Sequence, residues 1–471
     1  MEYPVRLTEM LRRSQAPPPR PAASPRVRRR FSPAQILVLT FAALIASGTV
    51  LLGLPVSTSG EPLSLLDALF TATSAVCVTG LIVVDTPTDL AVFGQIVVLI
   101  LIQLGGLGYM AITTVVGVAL GRQLTVHERL TLQEALNVET LEGLARFVLT
   151  VLKLTLVFEL TGAVILTARW VAEYGLGRAA YLGLFHAISA FNNAGFALFP
   201  DSLMRYRGDW IVNLVVTTLV ICGGLGFVVL TEIGRVRRFR RFSTHTRLVV
   251  TLTAATIVVT TALIWLIERH NPRTLEPLGV GEGLLAAYFQ AVTPRTAGFN
   301  TLDIGAMLPA SLFLLILLMF VGAAPGGTAG GVKISTFSIT VAVIWAMVRG
   351  AEEPTILGRR ITPPLVARAF SICLIGFLAL NVAAVLLLLT EERDLLPTLF
   401  ETTSAFGTVG LSMGEGGAPV SLAGHFSGVG KAFVIAMMFM GRIGPLTLAV
   451  AIARSRRVAR VRHPEGRFLI G

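Results

Sequence analysis

Four short stretches of this chain end in the same way, and they restrict the fold more than any other feature. Ser74-Ala75-Val76-Cys77-Val78-Thr79-Gly80-Leu81, Ser189-Ala190-Phe191-Asn192-Asn193-Ala194-Gly195-Phe196, Val292-Thr293-Pro294-Arg295-Thr296-Ala297-Gly298-Phe299 and Ser404-Ala405-Phe406-Gly407-Thr408-Val409-Gly410-Leu411 align residue for residue. Their glycines lie 195 − 80 = 115, 298 − 195 = 103 and 410 − 298 = 112 residues apart, the period of a chain built from four copies of one unit. Each stretch follows a short helix-like run, at 63–75, 181–190, 283–292 and 395–405, and leads through a polar loop into a long apolar span. A run of about 12 residues rises only about 18 Å as a helix, roughly half the hydrocarbon thickness, so it must turn back. Backbone bared at that depth has to face water, protein or an ion. Four such turns about one axis would aim carbonyl oxygens and negative helix ends at a common centre, where a dehydrating cation is the ligand that fits.

The setting is a membrane. With 54% hydrophobic and 14% charged residues over 471 positions, no soluble class fits. A net charge of +12 raises nucleic acid as a partner, but the positions of the cations answer that. They gather where each even-numbered span ends: Arg122, His127 and Arg129; Arg235, Arg237, Arg238, Arg240 and Arg241; Arg349, Arg359 and Arg360; Arg454, Arg456, Arg457, Arg460 and Arg462. Lys and Arg collect on cytoplasmic loops, so these exits and the basic N-terminal tail belong on the cytoplasmic side of the cell membrane, and no nucleic acid is implied. The opposite loops carry Asp85, Asp89, Asp201, Asp209, Asp303, Glu391, Glu392, Asp394 and Glu415. They are either an acidic vestibule that concentrates cations ahead of the filters or ordinary external loops. Trp170, Trp210 and Trp265 fall near that outer edge, where aromatic belts form. Cys77, Cys222 and Cys373 lie in apolar stretches without pairing, and the six histidines show no ligand spacing; His186 reads as a packed pore-helix residue.

The expected fold is therefore an all-α polytopic membrane protein of four pseudo-symmetric span, pore helix, filter and span repeats around a central ion pore. The parts are a disordered basic cytosolic tail at 1–33 and repeats at 34–122, 143–241, 246–350 and 365–457, with a C-terminal tail at 458–471. Spans are expected at 34–56, 91–119, 146–171, 210–233, 247–267, 308–348, 366–390 and 430–452, that of 308–348 interrupted at 322–331. In each filter a glycine follows small or branched residues: Val78-Thr79-Gly80, Asn193-Ala194-Gly195, Thr296-Ala297-Gly298 and Thr408-Val409-Gly410. Glycine adopts positive φ and lets backbone approach an ion closely, so carbonyls can replace a hydration shell.

This fourfold pattern, with Thr408-Val409-Gly410-Leu411 in the last copy and Pro294-Arg295-Thr296-Ala297-Gly298-Phe299-Asn300 in the third, resembles the Trk/Ktr/HKT superfamily of potassium transporters over residues 34–460, nearly the whole chain. It is nearest to the KtrB-type membrane subunit, because nothing before residue 34 supplies the two extra N-terminal spans of the TrkH type. The resemblance implies that Gly80, Gly195, Gly298 and Gly410 hold the selectivity positions, with K⁺ at the filter the only metal. A serine in the first filter marks many sodium-preferring relatives; Gly80 here implies K⁺ preference, with Na⁺ permeation or stimulation open.

The interruption Gly326-Gly327-Thr328-Ala329-Gly330-Gly331, followed by Lys333, matches the family's intramembrane gating loop. Its glycines each cost a helix roughly 1 kcal/mol relative to alanine, so mobile backbone beneath the filter, or a tight packing kink, fits the stretch. It is not a phosphate loop, since Val332 separates Gly331 from Lys333 and no strand precedes it. Arg442, mid-span, has two readings: an electrostatic barrier held by loop carbonyls, as the family implies, or a structural pair with an acid such as Glu159. Glu159 and Glu401 either bond behind the filters or hold a coupling ion or proton, and Asn192 and Asn193 brace the second filter.

Function then divides between channel-like K⁺ uptake and coupled K⁺/Na⁺ or K⁺/H⁺ symport. An intramembrane enzyme is disfavoured: the chain has no HExxH, no GxSxG and no facing Asp pair. No dinucleotide-binding fold is present, so the resemblance implies a homodimer docked on a separate cytosolic KtrA/TrkA-type ring through which ATP or ADP acts, with no cofactor in this chain. The apolar end Phe468-Leu469-Ile470 either tucks into the subunit interface, as in relatives, or hangs free.

Overall fold

Each of the four repeats opens on a helix long and apolar enough to cross a bilayer. The computed structural model describes residues 31–108, 144–236, 238–415 and 419–452. The tail at 1–30, the exits carrying Arg122, His127 and Arg129, and the terminus with Arg454, Arg456, Arg457, Arg460, Arg462 and Phe468 lie outside the described residues, as does Arg237. Repeat 1 runs through the span α1 (Pro33–Leu52), the pore helix α2 (Leu65–Cys77) and the return helix α3 (Val92–Leu107). Repeat 2 comprises α4 (Leu144–Tyr174), α5 (Leu176–Phe191), α6 (Trp210–Leu225) and α7 (Phe227–Arg235). Repeat 3 comprises α8 (Thr244–Glu268), α9 (Val280–Val292), α10 (Pro309–Phe320) and α11 (Ile334–Val348). Repeat 4 comprises α12 (Pro363–Glu391), α13 (Leu395–Gly407), α14 (Gly428–Ile443) and α15 (Pro445–Ile452), and a two-residue hairpin, Thr355–Ile356 with Arg359–Arg360, joins it to repeat 3.

Burial is inverted relative to a water-soluble bundle. The filter-side halves of the pore helices α2, α5, α9 and α13 are buried, Phe70, Phe185, Phe289 and Phe400 among them, while the spans expose Leu39, Leu156, Val258 and Leu389. Hydrocarbon is as apolar as leucine, so outward leucines lose nothing and packing concentrates where the short helices meet. In repeats 2, 3 and 4 acids at the outer ends of the spans hold the start of the return helix: Glu268 accepts from Leu308 N at 2.8 Å and Glu391 from Ser427 N at 2.7 Å, while Arg169 bridges Glu173 and the α6 cap Asp209. These bonds satisfy amides that a helix start leaves without partners.

The structure corrects the apolar pattern at the return spans. Residues 210–233 and 430–452 are each predicted as one span, yet α6 and α7 meet at 102° and α14 and α15 at 98°. Gly226 (φ +89°) and Gly444 (φ +94°) stop the helix in a conformation that side chains rarely adopt, and Gly108 ends α3 in the same way (φ +73°). Gly105-Gly106-Leu107-Gly108, Gly223-Gly224-Leu225-Gly226 and Gly441-Arg442-Ile443-Gly444 thus end a helix in the same way in three repeats, the third with Arg442 at its second place. Pore helices also run longer than predicted: α5 starts at Leu176, not at 181, because Gly175 (φ +73°) ends the preceding span there. Trp170 leaves the expected belt as well. It is fully buried against His186 and Phe199, whereas Trp210 is exposed.

Candidate ion pore

Every filter turns its backbone over twice. Val78 and Gly80 have φ of +56° and +93°, Asn193 and Gly195 +61° and +70°, Thr296 and Gly298 +74° and +81°, and Thr408 and Gly410 +49° and +92°. A left-handed residue other than glycine costs on the order of 1–2 kcal/mol, so four of them at one register are held by their surroundings. In repeats 1, 2 and 4 the holding bonds are the same: Val78 N to Ala75 O, Asn193 N to Ala190 O and Thr408 N to Ala405 O (each 3.1 Å), with Thr79, Ala194 and Val409 N to Ser74, Ser189 and Ser404 O (each 2.8 Å). Repeat 3 differs: Val292 O accepts from Arg295 N at 3.2 Å, and the turn closes through Ala297 N to Thr293 O at 2.9 Å. Hydroxyls brace the next residues: Ser74 and Ser404 accept from Gly80 N and Gly410 N, while Ser189 and Thr293 donate to Phe196 O and Phe299 O.

The filters meet in a closed ring. A Cβ placed on Gly80 would come within 3.0 Å of Ala194 O, one on Gly195 within 3.0 Å of Ala297 O, one on Gly298 within 3.0 Å of Val409 O, and one on Gly410 within 3.0 Å of Thr79 O. Each glycine therefore abuts a carbonyl of the next repeat, and the fourth returns to the first. Directly outside lies a cavity of about 990 Å³ that touches all four glycines. Asp85, Asp201, Asp303, Asp394 and Glu415 line it with Arg273 and Arg393, a formal balance of 2 − 5 = −3. Arg393 bonds Glu415, and burial lifts the Asp85 carboxyl above its ordinary range against the hydrogen bond it accepts from Thr88. Of the other outer acids, Asp209 and Glu391 hold helix starts, and Asp89 accepts from Asp85 N at 2.8 Å.

Beneath the ring, the glycine-rich segment fills the broken return helices. A helix end leaves carbonyls without partners, and the segment supplies them. Ala324 N donates to Gly224 O (2.9 Å), Thr328 N to Gly223 O (3.2 Å) and Gly331 N to Gly441 O (3.2 Å), while Gly326 O accepts from Phe227 N at 3.0 Å. The end of α3 is completed by a side chain: Arg442 donates to Gly105 O and Gly106 O, and to Thr328 O in the segment. Lys333 donates to Ala329 O and Gly330 O. Neither cation is in an ion pair among the described residues, so the pairing of Arg442 with Glu159 is not formed.

Glu159 instead accepts from Asn192 (2.9 Å) and Gln103 (3.3 Å), and Glu401 accepts from Ala423 N at 2.9 Å behind the fourth filter. With its amide turned to face the carbonyls, Asn193 donates to Val220 O and Ala190 O, both at 3.1 Å. Arg295 is buried behind the third filter and donates to Thr253 of α8 at 3.1 Å. Gln103 and Thr253 carry no sequence signal beyond being polar in an apolar run.

Three comparisons place this geometry among known proteins. A family model described as TrkH, cation transport protein, matches residues 20–460. The chain is 44% identical over 442 residues to Ktr system potassium uptake protein B of Bacillus subtilis, covering 94% of this chain and 97% of that one. It is 35% identical to potassium/sodium uptake protein NtpJ of Enterococcus hirae, over 95% and 99% of the two chains. Among solved structures it is similar to the potassium transporter TrkH of Vibrio parahaemolyticus, with a TM-score of 0.71 at 19% identity, over 92% and 87% of the chains.

Proposed function

The chain belongs to the TrkH family of cation transport proteins, and we propose that it works as the K⁺ uptake membrane subunit of a Ktr/Trk-type system, conducting K⁺ through the four-filter ring. The observation that carries this reading is the cyclic contact of Gly80, Gly195, Gly298 and Gly410 with the carbonyls of Ala194, Ala297, Val409 and Thr79. Four inward backbones of alternating handedness offer oxygens but no anionic side chain, which suits a monovalent ion exchanging water for carbonyls. The net negative outer cavity raises the local cation concentration ahead of that step.

Below the filter, Arg442 and Lys333 set two positive charges in the path of a cation, and within Gly326-Gly327-Thr328-Ala329-Gly330-Gly331 the carbonyls of Thr328, Ala329 and Gly330 hold them. This is a closed gate. Opening requires the segment to leave the helix ends and take its carbonyls with it. A homodimer docked on a cytosolic KtrA/TrkA-type ring that binds ATP or ADP supplies that motion; relatives named as parts of a Ktr system support a multi-component assembly.

The test is flux through purified protein in liposomes with K⁺, Rb⁺, Na⁺ and H⁺ gradients applied separately, with and without the ring. K⁺ and Rb⁺ uptake well above Na⁺, increased by the ring, is expected; absence of K⁺ flux under every gradient would sink the reading. Coupled K⁺/Na⁺ or K⁺/H⁺ symport is favoured by the buried carboxyl of Glu159, which has no cation partner among the described residues, and by the relative named for both ions. A reversal potential that tracks the Na⁺ or H⁺ gradient at fixed K⁺ would select it.

A further inference from the structure

The position three residues before the filter glycine is Cys77, Asn192, Arg295 and Gly407 in the four repeats, so only repeat 2 places an amide there. That amide is the centre of a buried cluster drawn from three helices. Asn192 Nδ2 donates to Gln103 Oε1 of α3, to Glu159 Oε1 of α4 and to Ile188 O of its own pore helix, each at 2.9 Å. Gln103 Nε2 closes the triangle on Glu159 Oε2 at 3.3 Å. Asn192 is fully buried and Glu159 is 5% exposed, so each lost bond leaves a polar group without water.

The same cluster touches the gate. Gln103 lies one turn before Gly105 and Gly106, whose carbonyls receive Arg442. Gly106 packs so closely on the Asn192 amide that a Cβ there would overlap Oδ1. Thr328, whose carbonyl also receives Arg442, donates its hydroxyl to Phe191 O at 3.3 Å, one residue before Asn192. Both anchors of the gate arginine therefore bear on the same turn, the inner end of the second pore helix. In repeat 3 the corresponding Arg295 meets only the Thr253 hydroxyl among described side chains.

We propose that Glu159 is a positioning residue: it clamps Asn192 against the end of α3, so that the second filter senses, through a side-chain network, whether Arg442 is seated in its carbonyl cradle. Release of Arg442 frees Gly105 and Gly106, the end of α3 shifts, and Asn192 transmits that shift into the left-handed turn at Asn193. Gate and filter are then coupled through the buried cluster of the second repeat. This rests on the reading of Arg442 as the gate, and the experiment separates the two.

The K⁺-over-Na⁺ permeability ratio and the macroscopic K⁺ flux are measured on the reconstituted full chain as wild type, Glu159→Ala, Glu159→Gln, Arg442→Ala and the double variant Glu159→Ala with Arg442→Ala. Elution profile and thermal midpoint report folding of each. Glu159→Ala is expected to lower the permeability ratio about tenfold, and the gain in flux from Arg442→Ala is expected to shrink about tenfold in its presence, the size of coupling seen between residues of one network. Glu159→Gln keeps an acceptor for Asn192 and restores the ratio, which a charge-based role would not allow. An unchanged ratio in Glu159→Ala, additive effects in the double variant, or a Gln variant as impaired as Ala overturns the proposal. If Arg442→Ala alone leaves flux unchanged, the gate reading fails, and the ratio in Glu159→Ala still decides whether the clamp orders the filter.

Discussion

A methyl group at Gly410 has nowhere to go, because the Thr79 carbonyl occupies its place and φ of +92° strains any side chain. Gly410→Ala should lower the K⁺-over-Na⁺ permeability ratio by about tenfold or more, since displaced filter backbone opens the oxygen ring. Gly60→Ala is the matched control, as a Cβ at Gly60 meets nothing within 4 Å, and uptake should stay at the wild-type level. Arg442→Ala should raise K⁺ flux in the absence of any partner, because the barrier and its hold on Thr328 disappear together. Equal single-channel conductance and open probability in variant and wild type would refute that. At this scale the filter glycines and Arg442 were legible, because glycine at one register in four copies and a lone arginine in an apolar run both stand out in a string of letters. The clamp of Glu159 on Asn192 and Gln103 was not: its partners lie 33 and 56 residues away, on elements whose rotation no local pattern sets.

Among the elements, the broken return helices are what the glycine-rich segment docks on. A continuous helix keeps its carbonyls to itself; α6 and α14, stopped at Gly226 and Gly444, offer theirs to the segment at 322–331. Deleting Gly327–Gly330 should leave those ends open to water and give K⁺ flux that no longer responds to a regulatory partner. A deletion that is silent, or still regulated, would show the segment to be a packing kink. Gly444→Ala forces an unfavourable φ of +94° on a residue that would otherwise continue the helix, so the detergent-solubilised protein should melt about 1–2 °C lower, for a strain of about 1–2 kcal/mol. The apolar runs at 210–233 and 430–452 predict unbroken spans because hydropathy counts side chains, and the break resides in the backbone of a glycine that packing forces into the left-handed region.

For the whole molecule, the net negative outer cavity is a long-range field as well as a surface. Asp303→Asn with Asp394→Asn should slow K⁺ uptake at low ionic strength and lose that effect as salt rises, since exposed charges are screened beyond about 10 Å at 0.1 M. An equal loss at high salt would instead indicate direct coordination by those carboxylates. By itself the sequence determined the fold class, the membrane setting and the four recurring glycine-bearing turns, because periodicity, glycine placement and span length are properties of the chain read in one dimension. The tertiary structure alone decided that the filters close head to tail from Gly80 through Gly410, that two return spans bend by 102° and 98°, and that Arg442 meets carbonyls instead of Glu159. Those are facts of which backbone approaches which across 100 or more residues, and they follow from packing four units around one axis, which no single unit encodes.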